Sequence, residues 1–242
     1  MDNKKYCTIC GKEKVGEYNS FAQRYFYIEC ECERAEREAK EEKRRQKGIE
    51  KYTELRALDS GLLKKERQAD FSKLLRDKDN ERAITAAEYI TDVLLGNKSD
   101  SKNGLVLYGN RGSGKTYIAA AIINEYNKKH PLNESALISI IKQIENGYAD
   151  RVDVIIKSDC KFIKEDELIN LYGRYSYSSD TTPFDEFKKA KRLLVVDDIG
   201  VSAAPPDKVK TALLNIIDYR LSECLSTVVT TNLTKDELWE YI

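Results

Sequence analysis

The chain has 242 residues, 41% of them hydrophobic and 34% charged, and its 41 basic and 41 acidic side chains cancel to a formal net charge of zero. That balance excludes a histone-like, wholly basic nucleic-acid binder but leaves a local basic surface open, and the length suits one to two domains of about 150 residues. No apolar run approaches the roughly 18 residues of a membrane span. The polar start Met1–Lys5 lacks the apolar region of a secretory signal. The expected location is therefore cytoplasmic, where six cysteines are read as metal ligands or thiols rather than a disulfide framework.

Four of the cysteines fall in the first 32 residues: Cys7 and Cys10, then nineteen residues, then Cys30 and Cys32. Two close pairs separated by a loop of this size are the pattern of a structural Zn²⁺ site, each pair giving two thiolates to one ion. Gly11 suits a tight knuckle turn, and Tyr18, Phe21, Tyr25, Phe26 and Tyr27 are expected to pack around the metal. A segment this small does not fold on an apolar core alone. An iron–sulfur cluster or reduced thiols are the alternatives. Cys160 and Cys224 stand apart and read as ordinary core or surface residues, and His130, before Pro131, as neither catalyst nor ligand.

Residues 33–56 are dense in Glu, Lys and Arg, with Glu33–Arg37, Glu36–Lys40 and Glu41–Arg45 in the favourable acid-before-base order of a helix. This reads as a solvated helical tether, broken at Gly48 and at Asp59-Ser60-Gly61, and followed by a second charged stretch over 62–80 that Phe71, Leu74 and Leu75 anchor to a neighbouring core. From Glu81 an amphipathic helix is expected up to Gly96, then a polar loop over 97–103 and a buried strand at Gly104–Tyr108. A helix follows over Thr116–Lys129. Ala136–Ile141 reads as a strand or the start of a helix, Val152–Lys157 and Lys161–Ile163 as strands, Glu165–Tyr172 as a helix and Ser176–Thr182 as a loop. Leu193–Val196 is a second buried strand, Lys208–Leu221 a helix, and the β-branched Thr227–Thr231 a third strand. Strands alternating with helices predict an α/β fold with a mostly parallel sheet.

Between the first strand and its helix lies Gly109-Asn110-Arg111-Gly112-Ser113-Gly114-Lys115-Thr116, which fits G-x-x-x-x-G-K-[ST] in the strand–helix context that motif requires. Its glycines let backbone N–H groups wrap a polyphosphate at a helix N-terminus. Lys115 is expected on the β- and γ-phosphates and the Thr116 hydroxyl on Mg²⁺. The run Leu193-Leu194-Val195-Val196-Asp197-Asp198 has the Walker B form: Asp197 holds Mg²⁺ and Asp198 orients or deprotonates the attacking water. Asn232, after Thr230-Thr231, fits a polar sensor of the γ-phosphate. ATP, Mg²⁺ and Zn²⁺ are thus the expected cofactors.

In this order the cysteine quartet, charged helix, phosphate loop, Asp197-Asp198-Ile199-Gly200, Asp218-Tyr219-Arg220 and Thr230-Thr231-Asn232-Leu233 resemble the bacterial and phage helicase loaders of the DnaC/DnaI type, on the DnaC and IstB branch of AAA+ proteins. The resemblance implies a zinc-binding, helicase-gripping module at 1–32, a charged helical linker at 33–80 and a P-loop AAA+ domain at 81–242. It implies a hexameric replicative helicase and single-stranded DNA as partners, and self-association through the AAA+ domain. An IstB-like transposition helper and a nucleotide-gated adaptor with negligible hydrolysis are the rivals. Two departures stand out: residues 135–192 are longer than the family pattern, which implies an insertion, and the family's segment with an arginine finger and a sensor 2-like Arg is not seen before Ile242, so that the chain is either a fragment lacking the C-terminal end of that domain or without those functions, and poor hydrolysis by the chain as given is expected. Lys188, Lys189, Lys191 and Arg192, with Arg220, are the candidate DNA contacts; Arg220 alternatively pairs with Asp218 or reaches a neighbour's nucleotide.

Overall fold

The computed structural model describes residues 5–98, 104–149, 151–177, 182–202 and 206–242. Contacts group the chain into two units, residues 1–51 with 134–153, and residues 52–133 with 154–242.

In the first unit, β1 (Gly16–Asn19) and β2 (Arg24–Tyr27) form an antiparallel hairpin, with Gly16 opposite Tyr27 and Asn19 opposite Arg24. Helix α1 (Glu31–Asp59) follows and runs on into the second unit. Gly48 does not break it. The α1 backbone comes so close to a later helix, α4 (Glu134–Glu145), that a Cβ at Gly48 would lie 2.5 Å from Ile141. Ion pairs Arg45–Glu134 (2.7 Å) and Arg44–Glu145 flank that contact. Residues 134–145 are therefore helical.

The expected linker does not extend to residue 80. Tyr52, Ala57, Leu62 and Ala69 are buried in the second unit, because this stretch, unlike 33–50, carries enough apolar side chains to join a core. Helix α1 ends at Asp59, and the chain turns away at Gly61, whose φ of +87° favours glycine; a Cβ there would sit 2.5 Å from the Phe162 carbonyl oxygen.

Helix α2 (Glu81–Leu94) leads to β3 (Gly104–Tyr108) and α3 (Lys115–Lys129). Then come β4 (Cys160–Lys164), α5 (Glu165–Tyr177), α6 (Thr182–Lys188), β5 (Leu193–Ile199), α7 (Pro206–Ser222), β6 (Ser226–Thr231) and α8 (Lys235–Tyr241). Among the described residues the four later strands form one parallel sheet in the order β3-β6-β5-β4. Strand β5 is buried on both faces: Leu193 and Val195 pack with Ile84, Ile118 and Ile122 of α2 and α3, whereas Leu194 and Val196 pack with Leu168, Val209, Leu213 and Ile216 of α5 and α7. This period-2 division between two helical layers explains why β5 reads as an unbroken apolar run.

Val152–Lys157 forms no strand. The Gln143 side chain instead satisfies Asp153, accepting from its N–H at 2.8 Å and donating to its carbonyl at 3.4 Å, and Ile155 is exposed. Ser176 and Tyr177 complete α5 and Thr182 opens α6; the remainder of the loop expected there, 178–181, lies outside the described residues, as does 99–103 of the loop before β3.

Arg220 is a structural cation. It is 1% exposed, and its guanidinium donates to Thr227 Oγ1 and to the carbonyls of Lys188, Ala190 and Ser226 at 2.6–3.0 Å. Burial lowers its pKa to about 10. It fastens the end of α7 to the strand beside it and to the turn before β5, and it is not presented to DNA. Replacing it with Leu strands three carbonyls and should cost about 3 kcal/mol; denaturant unfolding monitored in the full chain checks this.

Candidate functional site

Strands β3, β5 and β6 all end at one edge of the sheet, where the residues singled out in the sequence stand: Gly109 after β3, Asp198 in the last residues of β5, and Asn232 after β6. They converge on a cleft of about 410 Å³ lined by Arg111, Gly112, Gly114, Lys115, Thr116, Asp198 and Asn232, with Lys65, Glu66, Tyr117 and Val201. Gly114 (φ +84°) turns the loop into the N-terminus of α3. The loop thereby aims N–H groups and the positive end of the helix into the cleft, which suits an anion.

Lys115 is nearly buried and donates to the carbonyls of Gly109 and Asn110 (2.8 Å each), to Ser113 Oγ (3.3 Å) and to Asn232 Oδ1 (3.0 Å). Burial lowers its pKa, opposed by the Asp198 and Asp197 carboxylates. The sequence expectation placed Lys115 and Asn232 on the same phosphate; the structure joins them directly.

Asp197 is fully buried. Its Oδ1 accepts from Thr116 Oγ1 (2.9 Å) and Thr230 Oγ1 (2.6 Å), while Oδ2 is buried without a hydrogen-bond partner. Burial raises its pKa. A hydroxyl and an unsatisfied carboxylate oxygen side by side are hard donors of the kind Mg²⁺ takes. Asp198 sits in a β-bulge between Val196 and Ile199, with φ of +61°, and its N–H donates to Thr230 Oγ1 at 2.9 Å. The bulge turns Asp198 into the cleft although it follows Asp197 directly.

Thr230 was not anticipated. Its hydroxyl serves both aspartates at once, and nothing in the Thr-rich run of β6 distinguished it from Thr227 or Thr231. Lys65, Glu66 and Tyr117 carried no motif. The segment Lys65–Asp70 reaches the cleft because Asn124 donates to the carbonyls of Glu66 and Ala69 (2.9 Å each) and Tyr117 Oη accepts from the Asp70 N–H (3.1 Å).

The four N-terminal cysteines converge: the ligand atoms of Cys7, Cys10, Cys30 and Cys32 all lie within 4.8 Å of one another, with Sγ–Sγ separations of 3.2, 3.3 and 3.6 Å among them. A tetrahedral ZnS₄ centre with bonds of about 2.3 Å has sulfur–sulfur edges of about 3.8 Å, so the quartet fits zinc after small adjustments. The Cys10 N–H, with that of Ile9, donates to Cys7 Sγ and brings its pKa down to about 7, favouring the thiolate that binds metal. Of the five aromatics expected to pack around the metal, four are exposed instead. Phe21 is 99% exposed at the tip, and Tyr18, Tyr25 and Phe26 also face solvent, Tyr18 against Tyr25 and Phe26 under Arg24.

Of the basic cluster, Lys188 donates to Asn215 Oδ1 (2.8 Å) and covers the Tyr219 ring, and Lys189 pairs with Asp185 (2.9 Å). Lys191 and Arg192 are exposed. Cys160 is a core residue and Cys224 is exposed, as expected.

A parallel sheet between helical layers, with a phosphate-type loop and paired aspartates at its C-terminal edge, defines a P-loop ATPase fold of the AAA+ class. No family model matches the chain. It is 26% identical over 153 residues to the replicative helicase loader DnaI of Bacillus subtilis (strain 168), covering 62% of this chain and 40% of that protein. It is 29% identical over 124 residues to the chromosomal replication initiator protein DnaA of Neisseria gonorrhoeae (strain ATCC 700825 / FA 1090), covering 43% and 23%. The crystal structure of the DnaC helicase loader superposes with a TM-score of 0.50 at 20% identity, over 74% of this chain and 85% of that one. The chain is similar to the DnaC/DnaI-type loaders within the AAA+ class, and it matches less than half the length of its curated relatives. No described helix is long and apolar enough to cross a membrane.

Proposed function

We propose that this chain is an ATP-dependent loader of the replicative DNA helicase, acting in the cytoplasm. The observation that carries the reading is the coexistence, in one chain, of the cleft that gathers Lys115, Thr116, Asp198 and Asn232 and of a four-cysteine module with a bare aromatic hairpin. The likeness to a protein named as a replicative helicase loader adds to it. In this reading the phosphate loop wraps ATP, Lys115 reaches the β- and γ-phosphates, and Thr116 and Asp197 hold Mg²⁺. Asp198 orients or deprotonates the water, and Asn232 meets the γ-phosphate. Cys7, Cys10, Cys30 and Cys32 hold one Zn²⁺, and the hairpin's Tyr18, Phe21, Tyr25 and Phe26 supply an exposed apolar surface of the sort that anchors protein partners. Single-stranded DNA is a second partner, met by Lys191 and Arg192 rather than by Arg220, and copies of the chain associate through the AAA+ unit.

The test is capture of a purified hexameric replicative helicase by the purified chain. ATP should support the complex, and Phe21→Ala should weaken it at least tenfold, about the 1.4 kcal/mol minimum for losing an aromatic anchor. Binding to duplex DNA with no affinity for the helicase would favour the IstB-like helper. Helicase binding without ATP turnover, with or without DNA, would favour the adaptor.

A further inference from the structure

Glu165 opens α5 immediately after β4, a place where an acidic residue ordinarily faces water and offsets the helix dipole. Here it does something else. It is 2% exposed, and its carboxylate accepts three consecutive backbone N–H groups from the loop that follows β5: Gly200 at 3.1 Å to both oxygens, Val201 at 3.1 Å and Ser202 at 2.9 Å. Three successive amides converging on one anion form a nest, here filled by the protein's own side chain. Tyr241 of α8 lies alongside; burial, with the Glu165 charge next in importance, raises its phenol pKa.

The loop so held begins at Asp198. On its other flank, Thr230 accepts the Asp198 N–H (2.9 Å) and Thr231 Oγ1 donates to the Ile199 carbonyl (2.7 Å). Residues 198–202 are thus fixed from β6 on one side and from the start of α5 on the other. Asp198 has a positive φ, uncommon outside glycine though one that Asp tolerates, and the contacts on both flanks hold the loop in that conformation. Val201, held by the same carboxylate, lines the nucleotide cleft beside Asp198.

We propose that Glu165 is a positioning residue for ATP hydrolysis: by clamping Gly200–Ser202 it sets where the Asp198 carboxylate stands. The inference rests on the ATPase reading above. Glu165 is not among the residues that line the cleft, so its removal should act on turnover and not on nucleotide affinity.

The test compares wild type, Glu165→Ala and Glu165→Gln in the full chain, the last keeping the side-chain volume and one acceptor oxygen. Affinity for a fluorescent ATP analogue, single-turnover hydrolysis and amide exchange at residues 200–202 are measured together. Glu165→Ala should lower the hydrolysis rate about 10²-fold, the size expected for a misplacement of about 1 Å, with nucleotide affinity within about threefold of wild type (below 0.7 kcal/mol). Glu165→Gln should fall between the two, and amide protection at 200–202 should be lost in step with the rate. If Glu165→Ala does not fold, Glu165→Gln carries the comparison. Unchanged turnover in either variant, a fall in ATP affinity that matches the fall in rate, or rapid exchange of these amides in wild type overturns the proposal and leaves the ATPase reading standing. Absence of turnover in wild type overturns both.

Discussion

Lys115→Ala is expected to reduce ATP affinity by at least about 10²-fold while leaving the chain folded. The ammonium is the only cation at the centre of the loop among the described residues, with Arg111 at its rim, and four oxygens already point it into the cleft. Losing a charge-assisted contact to phosphate costs about 3 kcal/mol, which corresponds to about 150-fold. The fold should survive. The oxygens released by the substitution stay within reach of water, since Asn110 and Ser113 are exposed and Asn232 lines the cleft, and burial works against the charge of Lys115 in the unliganded chain. Titration with a fluorescent ATP analogue beside a thermal melt checks both halves. Unchanged affinity sinks the phosphate-loop assignment.

Metal removal should have the larger structural effect. Among residues 5–30 only Cys7 is buried, and the apolar side chains of Val15, Tyr18, Phe21, Phe26 and Ile28 are exposed. A two-stranded hairpin with no apolar face is not stable alone; a metal held by the quartet is expected to supply the fold, as structural zinc contributes on the order of 10 kcal/mol in small modules. Purified protein should carry about one zinc per chain. A strong chelator should abolish amide protection over residues 5–30 while leaving α3 and β5 protected, and Cys10→Ser should do the same. Metal-free protein with an ordered hairpin would refute the assignment, and visible absorption would point to an iron–sulfur cluster.

The sheet and its helices were legible because strands buried on both faces, such as Leu193–Val196, and amphipathic helices, such as α2, leave strong periodic signals. The phosphate loop and the aspartate pair were legible because their chemistry fixes residue type and spacing together. What escaped depended on long-range placement. Val152–Lys157 has strand-like composition, but Gln143 takes the hydrogen bonds a ladder would have used. Gly48 looked like a breaker because its packing partner Ile141 is far away in sequence. Arg220 looked like a surface cation because nothing local reveals that its acceptors come from residues 188–190 and 226–227. Glu165 belongs to no motif, and Thr230 entered only as the run before Asn232; their importance arises only where β4, β5 and β6 meet.

The alternation of β5 between two helical layers also bears on how the chain can change over time. A one-residue slip of this strand would exchange the side chains offered to the two layers. The same slip would carry Asp197 and Asp198 about 3.3 Å along the sheet, away from Thr116 and Thr230. Packing and chemistry are therefore read off a single ruler. Insertions and deletions inside β5 are barred twice over, and the room for the chain to vary in length lies in the segments between strands.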